Sequence, residues 1–323
     1  CRWREGSLEN CTATKCEVKN PDLQLLKTPV YRAFFCFQPT KKLFLVRYFL
    51  MEAPMGKSRF ILPNAFTSMN FLLGVFAICW VTGAFSSFTT SDPIRTGAYF
   101  IILSVLLDKL DGFAARLVNA SSEFGAQFDS LADLIAFGLA PAFTIFFAYK
   151  TLSPEWFQAN GALLIVTFSI YVLCAAMRLA KYNACDSDTY HHHFSGLPST
   201  FAGAINAILI VYLKANGLFE NSESPMMFVP VLVMLVTGLL MVSPLFLPKL
   251  QPRRNQLFNI GQAILIVITY ICGFLFISEK VPFILEYLLI LCSSYLVIGF
   301  TVGLVQRKKI IENAEKNKIE ERR

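Results

Sequence analysis

The stretch LLDKLDGFAARLVNASSEFGAQFDSLADLIAF, residues 106–137, decides how this chain folds and what it can bind. It places four carboxylates, Asp108, Asp111, Asp129 and Asp133, inside or beside two strongly apolar segments. Charged side chains at membrane depth are costly, so they usually mark a functional site in which they have a partner. At helical spacing, and accompanied by glycines and one arginine, these carboxylates indicate a site for divalent metal and phosphate.

The rest of the chain consists mainly of apolar blocks of the length that a bilayer requires. Of its 323 residues, 55% are hydrophobic, and the mean hydropathy is +0.52. A membrane-spanning helix needs about 20 predominantly apolar residues, and about eight such blocks occur. Their centres lie near Val75, Leu106, Ala136, Phe168, Leu209, Val233, Val267 and Ile290. The sequence therefore predicts an all-α polytopic membrane protein with about eight transmembrane helices.

The basic residues predict the topology of these helices. The net charge is +7, but the bases occupy alternate loops instead of one patch suited to nucleic acid, so no nucleic-acid partner is expected. The clusters are Lys57 with Arg59, Arg178 with Lys181, Lys249 with Arg253 and Arg254, and Arg307 with Lys308 and Lys309. With eight spans they share one side, and the positive-inside rule places both termini and the Asp-rich turn in the cytoplasm.

Helical spacing predicts that the four carboxylates converge. Asp108 and Asp111 are three residues apart on one helix face, and Asp129 and Asp133 are four apart on a face of the next helix. The intervening segment, residues 117–124, contains turn-forming residues and can reverse the chain. Converging carboxylates repel one another unless cations intervene, and oxygen ligands suit Mg²⁺ or Mn²⁺. Two such ions, about 3.5–4 Å apart, can clamp a phosphoryl group between attacking and leaving oxygens.

Small residues beside the carboxylates leave room for a bulky ligand. Gly112 and Gly125 have no side chain, and Ala115 keeps the same surface shallow. Arg116 offers a forked donor suited to phosphate. For any one of these residues, a packing role or a helix-to-helix ion pair is an alternative. The complete set of eight positions favours a site that acts on phosphate.

The motif D-x-x-D-G-x-x-A-R, eight residues, then G-x-x-x-D-x-x-x-D resembles the signature of the CDP-alcohol phosphotransferase family at every position. The resemblance implies a six-helix core, a homodimer, and a reaction in which a CDP-linked lipid donates a phosphatidyl group to an alcohol while CMP leaves. It also implies the role of each motif residue. Asp108, Asp111, Asp129 and Asp133 would bind two divalent cations, Mg²⁺ or Mn²⁺, and Asp133 would also act as general base. The residues that bind the CDP moiety would be Gly112, Ala115, Arg116 and Gly125.

Two further stretches resemble the phosphatidylserine synthase branch of that family, which implies CDP-diacylglycerol and L-serine as substrates. One is Leu62-Pro63-Asn64 with Asn70; the other is MRLAKYN (177–183) followed by FSGLPST (194–200). The branch often has Arg-Phe-Asn where this chain has Lys181-Tyr182-Asn183. Serine carries a carboxylate and an ammonium group, so it needs a cation and acceptors. The candidates are Arg178 or Lys181 for the carboxylate and Asn183 or Ser195 for the remainder, with Asn64 and Asn70 as further site residues.

Three alternatives stay open at this point. A phosphatidylglycerophosphate-type or phosphatidylinositol-type synthase would have the same motif, although a phosphorylated acceptor calls for more bases than the few near it. A cation-coupled transporter would spread its charges over several spans near the midplane, whereas here they cluster in two adjacent spans. Arg178 and Lys181 could also serve only as cytoplasmic anchors.

The predicted domain organisation has four parts. Residues 1–56 form a polar and basic N-terminal segment, and Met51 begins a more natural N-terminus, so we expect residues 1–50 not to be part of the native protein. A segment lying on the membrane surface is the alternative. Residues 57–250 form the catalytic six-helix membrane core, 251–306 two additional transmembrane helices, and 307–323 a charged cytoplasmic tail.

Overall fold

The structure is a computed structural model, and it describes residues 58–85, 92–118, 123–184, 193–248, 256–276 and 283–321. Helices make up most of these residues. In chain order the α-helices are α1 (Ser58–Val81), α2 (Pro93–Val118), α3 (Glu123–Asp133), α4 (Ala140–Leu152), α5 (Pro154–Ala184), α6 (Ser199–Ala215), α7 (Val229–Val242), α8 (Gln256–Leu275) and α9 (Phe283–Glu321). The predictions for residues 1–56 lie outside the described residues.

Three kinds of shorter element complete this description. A π-helical segment, Leu134–Leu139, joins α3 to α4 without a break. Two 3₁₀ turns, Leu218–Glu220 and Pro225–Phe228, lie between α6 and α7. Strands β1 (His193–Ser195) and β2 (Phe246–Pro248) pair antiparallel, with Ser195 opposite Phe246. The sequence did not predict these strands, because three residues are too few to show a period of two.

The predicted all-α polytopic membrane architecture is confirmed. All eight predicted centres lie in helical segments. Five segments of the described chain are long and apolar enough to cross a membrane: Asn64–Val81, Phe124–Leu152, Pro154–Ala184, Pro225–Val242 and Phe283–Arg307. The helices at Ser199–Ala215 and Asn259–Leu275 are apolar but shorter, and α2 carries the charges of the motif in its second half. The count of eight spans therefore stays a prediction.

Helix α6 lies at the centre of the bundle. Its side chains are buried on nearly every side, which is typical of a helix that is apolar all round. Glycines allow neighbouring helices to approach closely, among them Gly74 of α1 against Ala136, Gly203 of α6 against Phe137, and Gly238 of α7 against Tyr171. Close contact through small residues is the usual way in which membrane helices associate.

The start of α6 is tied to the end of α7. Gly196 has φ +75°, a conformation that favours glycine, and its N–H donates to the carbonyl of Leu245 at 2.7 Å. The N–H of Leu197 donates to the carbonyl of Leu240 at 3.0 Å. Ser195-Gly196-Leu197-Pro198 therefore lies just before a helix, and these bonds place the first residue of α6, Ser199.

The two C-terminal helices pack on the core. Arg95 of α2 donates to the carbonyl of Phe276 at 3.2 Å, and Tyr270 of α8 donates to the carbonyl of Leu106 at 3.5 Å. Tyr295 of α9 donates to the carbonyl of Pro248 at 2.7 Å. Residues 57–323 form one compact unit. The boundary at residue 250 is therefore not marked by a loss of contact, and it stays a prediction.

Candidate active site

Three of the four motif carboxylates lie together. Asp108 of α2 and Asp129 and Asp133 of α3 each offer one carboxylate oxygen, and these oxygens lie within 4.8 Å of one another. Asp133 is buried, with 8% exposure, and the other two are half-buried. Like charges at this distance repel strongly when solvent is restricted. A cluster made only of oxygen donors fits a hard divalent cation, which would remove that repulsion.

The remaining motif positions lie at the adjoining helix ends. Asp111, Gly112, Ala115 and Arg116 belong to the last turns of α2, and their side chains lie outside the described residues. Gly125 lies in the first turn of α3 and is half-buried. Asp108 and Asp129 meet, as the predicted convergence requires, and the turn predicted for residues 117–124 lies largely outside the described residues. The binding roles of these five residues stay predictions.

A lysine borders the carboxylate cluster. Lys109 Nζ donates to Asp108 Oδ2 at 2.9 Å, and the two side chains are 60% and 12% exposed, respectively. Because the lysine side chain is largely exposed, this ion pair contributes little to stability. Its effect on the site is to place a positive charge at the outer edge of the cluster.

Asp133 is held by side chains from two other helices. Asn70 of α1 donates through Nδ2 to Asp133 Oδ1 at 3.4 Å, and Ser199 of α6 donates to Asp133 Oδ2 at 3.4 Å. Arg178 Nη1 of α5 in turn donates to the Ser199 hydroxyl at 2.8 Å. Sequence reasoning selected Asn70 and Arg178 but assigned no role to Ser199. The feature of the sequence that could have indicated Ser199 is its place in FSGLPST, at the first position of a helix.

Two buried polar atoms beside Asp133 have no hydrogen-bond partner among the described residues. They are Asn70 Oδ1, an acceptor, and Arg178 Nε, a donor. Buried polar groups are nearly always paired, so each exception calls for an explanation. Asn70 donates to Asp133 directly, and Arg178 is linked to Asp133 through the Ser199 hydroxyl, so the two atoms lie around the buried carboxylate on different helices. A small ligand with both an anionic and a cationic group could pair with them.

The other predicted acceptor-binding residues, and Asn64, make no described hydrogen bond to Asp133. Lys181 and Asn183 are exposed at the end of α5, where Asn183 donates to Ser130 Oγ at 2.9 Å, next to Asp129. Ser195 lies in β1. Asn64 lies in α1, and its carbonyl accepts from Ser68 at 2.7 Å. The hydrogen bonds described for Asp133 come from Asn70 and Ser199 and not from these four residues, whose roles stay predictions.

Comparisons with known proteins identify the family of this chain. The profile of the CDP-alcohol phosphatidyltransferase family matches residues 60–248, which include the whole motif. The CDP-diacylglycerol–serine O-phosphatidyltransferase of Helicobacter pylori (strain ATCC 700392 / 26695) is 30% identical over 258 residues, which are 80% of this chain and 97% of that protein. The proteins of the same name from Saccharomyces cerevisiae and Methanocaldococcus jannaschii are similar over shorter stretches. The yeast protein is 36% identical over 135 residues, which are 40% of this chain and 46% of that protein. The Methanocaldococcus protein is 33% identical over 150 residues, which are 46% of this chain and 62% of that protein.

Proposed function

This chain belongs to the CDP-alcohol phosphatidyltransferase family, and we propose that it transfers the phosphatidyl group of CDP-diacylglycerol to the hydroxyl of L-serine, releasing CMP. The observation that carries the choice of serine is a pair of buried polar atoms around Asp133, Asn70 Oδ1 and Arg178 Nε, which have no hydrogen-bond partner among the described residues. They offer one acceptor and one cationic donor, which match the ammonium and carboxylate groups of a free amino acid. The similar proteins bear names that specify the same acceptor.

The acceptor is positioned by three side chains. The Arg178 guanidinium pairs with the serine carboxylate, since its planar donor set suits that group. The Asn70 amide oxygen accepts from the serine ammonium group. The serine hydroxyl then lies toward Asp133, whose carboxylate accepts from Asn70 and Ser199. Lys181, Asn183 and Ser195 remain further candidates for binding the acceptor, and Asn64 remains a candidate site residue on α1.

Asp133 is the proposed general base. An alcohol is a poor nucleophile until its proton is removed, and a positioned base contributes a factor of about 10²–10⁴ in rate. The serine oxygen attacks the phosphorus of the phosphatidyl group, the bond from that phosphorus to the CMP oxygen breaks, and the hydroxyl proton goes to Asp133. CMP leaves with the electron pair of the broken bond.

The donor is held on the other side of the carboxylate cluster. Asp108, Asp111, Asp129 and Asp133 would hold two divalent cations, Mg²⁺ or Mn²⁺. When bound, these cations supply positive charge that stabilises the pyrophosphate as its negative charge grows. Gly112, Ala115 and Gly125 leave space for the cytidine, and Arg116 pairs with the charged donor.

The protein is an integral membrane protein, since several of its helices are long and apolar enough to span a bilayer. We place both termini and the active site on the cytoplasmic side, where serine is dissolved and the basic loops lie. The six-helix core, residues 57–250, carries the chemistry, and the protein acts as a homodimer. The site opens to water for serine and CMP, and sideways to the bilayer for the lipid tails.

The decisive experiment measures CMP release from CDP-diacylglycerol by the purified protein with Mn²⁺ or Mg²⁺. The acceptors compared are L-serine, glycerol 3-phosphate, inositol and inositol phosphate. We expect release only with serine, loss of release with a chelator, and loss in Asp133→Asn. The matched control is Asp92→Asn, which changes a carboxylate that pairs with Lys214 at 2.6 Å, outside the site. Release with another acceptor would refute the choice of serine, and release with none would refute the proposed reaction.

A further inference from the structure

The helix that carries Asp133 changes its hydrogen-bond register directly after that residue. α3 ends at Asp133, the six residues Leu134–Leu139 are π-helical, and α4 begins at Ala140. The N–H of Ala140 bonds to the carbonyl of Ile135, five residues back instead of four. A π turn accommodates one residue more than an α turn. The helix before it is therefore rotated by about 100°, one residue's step, relative to the helix after it.

This rotation decides which side chain faces the site. Ile145 is fully buried on the inner face of α4. Three α-helical turns of about 3.6 residues, counted back from Ile145, reach Leu134. The extra residue of the π segment brings Asp133 to that inner face instead. The observed burial agrees, because Asp133 is 8% exposed and Leu134 is only partly buried.

Pro141 explains why the α-helical ladder fails at this place. In a continuous α-helix the carbonyl of Phe137 would accept from the N–H of residue 141. Proline has no N–H, and its ring crowds the carbonyl four residues before it. The missing donor comes from another helix: the Tyr171 hydroxyl of α5 donates to the Phe137 carbonyl at 2.8 Å. Both residues have 0% exposure, so water does not compete for this carbonyl.

The π segment is also packed from both sides. A Cβ atom on Gly74 of α1 would lie 2.8 Å from the Ala136 Cα, and one on Gly203 of α6 would lie 3.1 Å from the Phe137 Cα. The backbone of the segment therefore touches the backbones of two neighbouring helices. A return to the α register would require these helices to move, including α1, which carries Asn70.

We propose that Pro141 and Tyr171 together set the helix register that makes Asp133 face the metal site. Pro141 removes the backbone donor, and Tyr171 supplies its replacement. Tyr171 is thus a positioning residue: it acts on Asp133 through the Phe137 carbonyl and touches neither metal nor substrate. The expected effect of these two residues on the rate of CMP release rests on the proposed function. Their expected effect on metal binding does not.

The test compares Tyr171→Phe with Tyr149→Phe. Tyr149 is also fully buried, and its hydroxyl also donates to a backbone carbonyl, that of Met227, but it lies in α4 beyond the π segment. Mn²⁺ affinity is measured by electron paramagnetic resonance titration of the purified protein, together with its thermal unfolding. We expect both variants to lose similar stability. Tyr171→Phe alone should bind Mn²⁺ about 10- to 100-fold more weakly, as other changes behind a metal ligand do.

A second variant keeps the test sharp. Pro141→Ala restores the N–H that the Phe137 carbonyl lacks, so it should favour the α register and weaken Mn²⁺ binding. When Tyr171→Phe is added to Pro141→Ala, Mn²⁺ affinity should fall little further, because the Phe137 carbonyl has its backbone donor again. CMP release should fall in both variants, and kcat should fall with it.

Three results would overturn the proposal. The first is equal Mn²⁺ affinity in Tyr171→Phe and Tyr149→Phe, and the second is a loss of Mn²⁺ affinity in the Pro141→Ala/Tyr171→Phe double variant equal to the sum of the two single losses. The third is no Mn²⁺ binding by the unaltered protein. A failure of the proposed function looks different. In that case the unaltered protein binds Mn²⁺ and the variants differ as expected, but serine gives no CMP release.

Discussion

Replacing Ser199 by alanine tests the link between Arg178 and Asp133. The Ser199 hydroxyl accepts from Arg178 Nη1 at 2.8 Å and donates to Asp133 Oδ2 at 3.4 Å. Ser199 is 1% exposed, so water cannot readily take over these bonds. Alanine leaves the guanidinium and the carboxylate with one partner fewer each, and Arg178 loses the hydrogen bond that orients it among the described residues.

The two bonds differ in their contribution. A hydrogen bond to a charged group contributes about 1.5–3 kcal/mol. The bond from Arg178 has a favourable length, whereas the 3.4 Å bond to Asp133 exceeds the usual O–H···O range of about 2.5–3.0 Å and adds little. We expect a total loss of about 2 kcal/mol. That is a fall of about 30-fold in kcat/KM for serine, since about 1.4 kcal/mol corresponds to a factor of ten.

The assay is the initial rate of CMP release at varied serine, with CDP-diacylglycerol and Mn²⁺ held saturating. Most of the loss should appear in KM, because Arg178 binds the carboxylate in the ground state as well as in the transition state. Ser153→Ala is the matched control, since Ser153 is also buried, with 5% exposure, but lies between α4 and α5. Adding Ser199→Ala to Arg178→Met should cost little more than Arg178→Met alone. The link from Arg178 through Ser199 to Asp133 would be refuted by a kcat/KM of Ser199→Ala within twofold of that of Ser153→Ala. Fully additive losses in the Ser199→Ala/Arg178→Met double variant would also refute it.

Three further changes test the cluster and the packing around it. Asp108→Asn should raise the melting temperature of the metal-free protein, because it removes repulsion, and should abolish stabilisation by Mn²⁺; a lower metal-free melting temperature would contradict this. Gly74→Ala should destabilise the protein by about 1–3 kcal/mol through overpacking, whereas Gly261→Ala, with nothing within 4 Å, should not; unfolding midpoints compare them. Gly196→Ala and Gly83→Ala share a positive φ, which costs about 1–2 kcal/mol, but only at Gly196 would the Cβ meet a backbone oxygen, at 2.4 Å. Equal midpoints for these two variants would show that this contact relaxes.

The chemistry of the site was largely predictable from the sequence. The carboxylates Asp129 and Asp133 are one helical turn apart, so their common face follows from local geometry. The helical segments were predictable as well, because a bilayer requires long apolar runs whatever the tertiary contacts. Lys109 beside Asp108 follows equally from adjacency in the chain. Each of these features depends on residues that lie close together in the sequence.

The surroundings of Asp133 depend instead on residues far away in the chain. Asn70 and Ser199 lie 63 and 66 residues from Asp133, and no periodicity indicates that they meet it. Among the predicted acceptor residues, the structure brings Arg178 and Asn70 toward Asp133 and leaves Ser195 in a strand. Residue type alone could not separate them, since all three are polar residues near helix ends or in apolar helices.

The inward direction of Asp133 depends partly on the local sequence and partly on the tertiary structure. The sequence determined that a carboxylate stands at this position and that Pro141 interrupts the ladder of hydrogen bonds eight residues later. Only the tertiary structure decided how the interruption resolves, because the donor to the freed carbonyl is Tyr171, 34 residues away on another helix. A local pattern records a missing hydrogen bond, but the group that replaces it is chosen by packing.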